Sequence, residues 1–133
     1  MIDVRVQSAD FDPGRQIARL GDLKMGAVAS FTALLDVADD VEEILVDHYP
    51  ALAKVELGRI AADAEARWPL GAIILIHRHG RLAPCDRLAF VGVAAADRRA
   101  AFDALAFLAD ALATRPPFWR KELTAGGGGR WTR

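Results

Sequence analysis

Residues 72–77 read Ala-Ile-Ile-Leu-Ile-His, with three isoleucines inside four positions and no polar side chain before His77. Apolar residues at odd and even positions alike cannot alternate between core and water, so the segment predicts a buried β-strand. A strand of this kind is unstable alone and requires neighbours that cover it. It is no membrane span: the longest apolar run, Trp68–Ile76 interrupted only by Pro69 and Gly71, falls far short of the roughly 18 residues needed.

The surrounding chain supplies the neighbours. Ile2–Val6 alternates apolar and polar, a short strand signal. Asp12-Pro13 predicts a helix start, running to Leu20 and stopped by Gly21. Gly26–Leu35 predicts a strand, Asp36–Glu43 an acidic connection, and Ile44–Tyr49 a second strand paired with the first. Pro50 opens a long helix to Trp68, with Ala53, Leu57, Ile60, Ala61, Ala64 and Trp68 on its apolar face. Gly80 and Pro84-Cys85-Asp86 predict turns, and Leu88–Ala94 another strand. A second long helix is expected from Asp97 to Ala113, its apolar face formed by Phe102, Leu105, Ala106, Ala109, Leu112 and Ala113. Thr114-Arg115-Pro116-Pro117 ends it. Phe118–Leu123 predicts a short extended segment, and Gly126–Gly129 a flexible turn. Strands and two long helices without strict alternation give an α+β fold with mostly antiparallel strands. No linker divides the 133 residues, so residues 1–133 are expected to form a single domain.

Composition narrows the function. A net charge of −1 gives no bulk attraction to nucleic acid or anionic lipid. The lone Cys85 excludes an intrachain disulfide and a cysteine-based zinc site. Met1-Ile2-Asp3-Val4-Arg5 lacks a signal-peptide layout, so a cytoplasmic location is expected. His77 and His79 stand two residues apart on one strand, as two metal ligands would, but no third ligand follows at a recognisable spacing. They read as polar residues of a strand end, and no metal or cofactor is expected. The acidic cluster Asp36, Asp39, Asp40, Glu42 and Glu43 lacks a calcium-loop pattern and reads as a solvated turn. The 17 basic residues comprise 14 arginines and three lysines, Lys24, Lys54 and Lys121. Arg98 and Arg99 stand in the first turn of a helix, where free N–H groups favour anions. Arg115, Arg120 and Lys121 flank Pro117-Phe118-Trp119. These cations form an anion pocket or a set of solvated charges; composition leaves both open.

The order of segments then becomes informative. Gly26-Ala27-Val28 leads to Phe31-Thr32, followed by His48-Tyr49-Pro50 and Arg67-Trp68-Pro69-Leu70-Gly71. Ile76-His77-Arg78 with Gly80 and Leu82, Phe90-Val91-Gly92-Val93, and Arg98 with Ala101-Phe102 come next. Thr114-Arg115, Pro117-Phe118-Trp119 and Arg130-Trp131 complete the series. Together they resemble the MoaE family, the large subunit of molybdopterin synthase. The resemblance implies an α/β-hammerhead-type fold and a central homodimer. Each large subunit would bind a small ubiquitin-like sulfur-carrier subunit with a Gly-Gly C-terminus, giving a heterotetramer of molybdenum cofactor biosynthesis. The carrier's thiocarboxylate would supply sulfur in two transfers to cyclic pyranopterin monophosphate, giving molybdopterin. Arginines would hold the substrate phosphate, and a lysine would stabilise developing negative charge or act as a nucleophile.

The chain departs from the pattern this resemblance implies at working positions. The family's two lysines are replaced by Ala113 and Arg120, its His-Arg pair by Asp97-Arg98, and an early arginine by Asp36. Two readings follow. In one the chain is a sulfurtransferase in which Lys121 and Arg120 are catalytic and Arg98, Arg99 and Arg115 bind the substrate. Pro117, Phe118 and Trp119 then receive the carrier. In the other it is a catalytically degenerate homologue, a non-enzymatic binding or scaffold partner of a sulfur carrier or of an intact large subunit. A small-molecule binding protein on the same scaffold is a third class.

Overall fold

A computed structural model of the protein describes residues 1–124 and 128–132. In chain order the elements are β1 (Ile2–Gln7), α1 (Pro13–Gly21), β2 (Ala27–Leu34), β3 (Val41–His48), α2 (Pro50–Arg67) and β4 (Leu70–Arg78). Then come β5 (Gly80–Leu82), β6 (Arg87–Ala95), α3 (Arg98–Thr114), β7 (Phe118–Thr124) and β8 (Gly129–Thr132). They form two four-stranded sheets, ordered β1-β4-β6-β2 and β5-β3-β7-β8. β1 runs parallel to β4, and the other pairings are antiparallel.

β4 occupies the interior of the first sheet, and Ile73, Ile74, Leu75 and Ile76 are each 0% exposed. Ile73 and Leu75 pack into the main core with Leu57, Ile60, Val91 and Leu108. Ile74 and Ile76 point the other way, into a smaller cluster with Phe11, Leu20 and Phe90 beside α1. The non-alternating run thus has apolar cover on both faces of its sheet, which is why every position in it is hydrophobic.

Helix boundaries follow local chemistry. The Asp12 side chain accepts from Arg15 N at 3.3 Å and caps α1, and Asp97 accepts from Ala100 N at 2.9 Å and caps α3. Pro50 stands in the first turn of α2, where its missing N–H costs nothing. Gly80, at φ +97°, turns the chain out of the first sheet and into the second.

Three expectations are corrected. β2 and β3 are not paired: β2 pairs only with β6, at the edge of the first sheet, and β3 lies between β5 and β7 in the second. After β2 the chain is tied elsewhere, with Leu35 N donating to Asp86 O at 2.8 Å and Cys85 N to Leu35 O at 2.9 Å. The apolar face of α3 is also rotated. Ala100, Ala101, Ala104, Leu108, Ala111 and Leu112 are buried, while Phe102 is 63% exposed. Small alanines let the helix approach the sheet closely, and the bulkier Phe102 is left outside. Finally, Gly129–Thr132 forms β8, paired with Arg120–Leu123 of β7. Of the rest of the expected glycine turn, Gly128 accepts from Thr124 N at 3.1 Å, and residues 126 and 127 lie outside the described residues.

Candidate active site

The two sheets meet where β4 passes to β5 and where β7 begins. Four rings stack across this seam. Phe118 lies 3.7 Å from the His77 ring at an interplanar angle of 11°, and 5.7 Å from His48 at 18°. His48 in turn lies 4.1 Å from His79. All three histidines of the chain are in this stack. His77 is 6% exposed, and its Nδ1 sits 2.8 Å from the carbonyl of Arg78. Burial, helped by the nearby charges of Arg120, His48 and His79, lowers its pKa to about 4 against the hydrogen bond to Arg78. The ring is therefore neutral at physiological pH. Burial and the adjacent His48 also lower the His79 pKa.

Beside the stack is a cavity of about 320 Å³, within the range of small-molecule sites. Phe31 and Leu34 from β2, Leu88 and Val91 from β6, and Leu112 from α3 give it apolar walls. Ala113, Thr114 and Pro116 line it where α3 ends, and Phe118 and Arg120 line it from β7. Its ionisable groups are Asp36, His77 and Arg120. A neighbouring hollow of about 350 Å³ shares Asp36 and Arg120 and adds Ile44 and Glu122. Arg120 thus stands at the junction of both spaces, on a regular strand register opposite Val46.

The expected site residues do not all converge here. Arg120 lines the cavity; Lys121 does not. β7 runs without a bulge at this point, pairing Arg120 with Val46 and Lys121 with Leu45, so the two side chains point to opposite faces. The Lys121 ammonium instead lies 5.6 Å from the centroid of the Trp131 ring. Arg115 is committed to α2: its Nε is 2.9 Å from Glu56 and its Nη1 2.8 Å from Asp63. Arg98 and Arg99 are exposed in the first turn of α3. The cavity-lining Ala109 and Ala113 lie further along the same helix, about 15 to 22 Å away at 1.5 Å per residue. Within one protomer they are remote from the cavity.

The aromatic positions also divide. Phe118 is buried, held between two imidazoles, and forms cavity wall rather than free surface. Pro117 and Trp119 are half-buried, and Trp119 meets the exposed Tyr49 edge-on at 5.1 Å. His77, weighed in the sequence as one of a metal-binding pair and read as a strand-end polar residue, lines the cavity instead. Among the described residues, no three histidine, cysteine or acidic side chains converge as a metal site, and no helix is long and apolar enough to cross a membrane.

An α+β protein with a seam cavity that presents one guanidinium, one carboxylate and one buried imidazole is suited to binding a small polar molecule. Comparison with known proteins gives the family. The family model described as MoaE protein matches residues 6–115. A molybdopterin synthase catalytic subunit of Mesorhizobium japonicum is 46% identical over 132 residues, covering 96% of this chain and 83% of that protein. The solved structure of a molybdopterin biosynthesis MoaE protein from Burkholderia ambifaria is 39% identical, with a TM-score of 0.86, covering 99% of this chain and 89% of that one. A protein–protein complex of subunits 1 and 2 of molybdopterin-converting factor from Helicobacter pylori shares the fold, with a TM-score of 0.76 at 14% identity over 99% of this chain and 90% of that one. The chain belongs to the MoaE family.

Proposed function

We propose that this protein is the large, catalytic subunit of molybdopterin synthase. It takes sulfur from the thiocarboxylated C-terminus of a small carrier subunit and transfers it to cyclic pyranopterin monophosphate. The observation that carries this reading is the cavity at the end of α3 and the start of β7, lined by Ala113, Thr114, Phe118 and Arg120. It lies in a chain 46% identical to a molybdopterin synthase catalytic subunit.

The side chains have distinct capacities. Arg120 offers a fixed positive charge and several donors to a phosphate or to a developing oxyanion. A guanidinium is a donor without acceptor capacity, so it serves neither as base nor as nucleophile. His77, neutral and buried, adds polarity without charge. Thr114 donates its hydroxyl to the Asp110 carbonyl at 2.9 Å and closes the last turn of α3. Arg98 and Arg99 reach a substrate only if a second copy of the chain carries them to this cavity. The homodimer expected of this chain is supported by the β2 edge strand, where Val28, Phe31 and Leu34 are 38%, 47% and 56% exposed. The second apolar run, Leu88–Ala94, is already buried within the protomer and contributes nothing to that argument. Trp119, half-buried, and the exposed Tyr49 offer an aromatic surface for the carrier tail.

Reconstitution with a thiocarboxylated carrier and the cyclic precursor, reading dithiolene formation, tests the proposal. Turnover that falls in Arg120→Ala supports it. One observation favours the second reading, a non-enzymatic partner: the cavity contains the carboxylate of Asp36 and no lysine. Carrier binding without turnover, unrelieved by Ala113→Lys, would establish that reading instead.

A further inference from the structure

The buried imidazole is held in one orientation and one tautomer. A backbone carbonyl only accepts hydrogen bonds, so the 2.8 Å contact to Arg78 O places the proton on Nδ1. Nε2 then carries a lone pair. The ring cannot swing away: its face lies 3.7 Å from Phe118, and its backbone is clamped between Val6 of β1 and Ala89 of β6. Among the described residues no fully buried side-chain nitrogen or oxygen lacks a partner. Nε2 has no protein donor, so it is not sealed in the core. Its outlet is the cavity that His77 lines.

From this geometry we infer that Nε2 of His77 is a fixed hydrogen-bond acceptor of the substrate cavity, taking an N–H or O–H of the bound pterin. The inference rests on the synthase reading and adds a specificity-determining residue to it. Besides the carboxylate of Asp36, the cavity then has two poles of different demand. Arg120 takes an anionic group, and His77 takes a neutral donor, across walls built from Leu88, Val91 and Leu112. A ligand with phosphate and a ring N–H satisfies both; a phosphate alone satisfies one. The charged or titratable groups around the imidazole are Arg120 from β7, His48 from β3, His79 beyond β4, and Asp36, which shares the cavity. Two of the three neighbours that shift it are themselves histidines, and all three oppose a second positive charge. The acceptor state therefore persists across the physiological range.

The test compares wild type with His77→Phe and His77→Gln in the assembled complex with the carrier. Phenylalanine keeps a flat ring against Phe118 and removes the acceptor; glutamine keeps an acceptor. Expected are a KM for cyclic pyranopterin monophosphate raised about 10-fold in His77→Phe, as for loss of one buried hydrogen bond, and a return to within about 3-fold of wild type in His77→Gln. Inhibition by inorganic phosphate should be equal in all three proteins. Nitrogen-15 spectra of the wild-type ring should show a protonated Nδ1 and an unprotonated Nε2. An unchanged KM in His77→Phe, an equal loss in both variants, or a protonated Nε2 overturns the inference while leaving the synthase reading intact. A wild-type complex that neither binds nor converts the precursor overturns both.

Discussion

Acid should weaken this protein chiefly through one buried side chain, His77. In the native state His77 takes up a proton only near pH 4, whereas an unfolded histidine does so near 6.5. Between those values the unfolded chain binds more protons than the folded one, so stability rises with pH and falls as the solution is acidified. Each pH unit below 6.5 costs about 1.4 kcal/mol. At pH 5 the loss is about 2 kcal/mol, and below pH 4 it levels off at about 3 kcal/mol. That is a large part of the stability of an ordinary domain. Urea denaturation at pH 7.5 and pH 5 measures it directly. With a slope near 1.5 kcal/mol/M, the wild-type midpoint should fall by about 1 M more than that of His77→Gln. His79 has its pKa lowered by burial and by His48, but it is present in both proteins and its contribution cancels in the comparison. The same holds for Asp10, whose carboxyl is held below the usual range by its hydrogen bond to Arg87. Equal pH dependence in the two proteins would refute the reasoning: the ring would then be protonated in place or reached by water.

Other consequences are open to simpler measurements. Lys121→Ala should leave turnover within about 3-fold of wild type, because its ammonium lies by Trp131 on the face away from the cavity; loss of activity in the reconstituted assay would show that β7 rearranges on binding. Arg115→Ala should lower stability by about 1 kcal/mol, the scale of a partly exposed ion pair, with KM unchanged, as thermal melts and steady-state kinetics would show. A β-carbon at Gly26 would collide with the Ala96 carbonyl oxygen, so Gly26→Ala should cost about 1–3 kcal/mol in chemical denaturation. Ala113→Lys should raise the rate of dithiolene formation by adding an ammonium to the cavity wall, and a slower variant would count against an electrostatic role at that position.

The elements that sequence periodicity placed well are those with an unambiguous local signal. Ile73–Ile76 can be nothing but interior strand, and Asp12-Pro13 and Asp97 mark helix starts that their side chains then cap. Errors arose where two faces were both plausible. Along α3, alanines are interspersed with Phe102, Leu105 and Leu108, and hydrophobicity alone does not choose the face; packing on the sheet selects the face of Ala101, Ala104, Leu108 and Ala111 and leaves Phe102 outside. The partner of β3 was equally hidden, since the tie between Leu35 and the Cys85-Asp86 turn has no sequence signature. The site was legible as a neighbourhood, Ala113 to Arg120, but not as a direction. Whether Arg120 or Lys121 faces inward depends on the ladder to β3. Arg115 looks free in the sequence until Glu56 and Asp63 are found beside it.

The cavity lies where two independently hydrogen-bonded sheets abut, and this bears on how such a protein can change over generations. The first sheet carries most of the apolar core, with β4 and β6 buried throughout their middle. The second sheet supplies Phe118 and Arg120 to the cavity from a strand whose other positions are only half-buried. Substitutions along β7 can therefore remodel the chemistry of the pocket with little effect on the packing that keeps the chain folded. Position 120 is such a place: where the family resemblance implies a lysine, this strand carries Arg120, half-buried beside the cavity and outside the buried core.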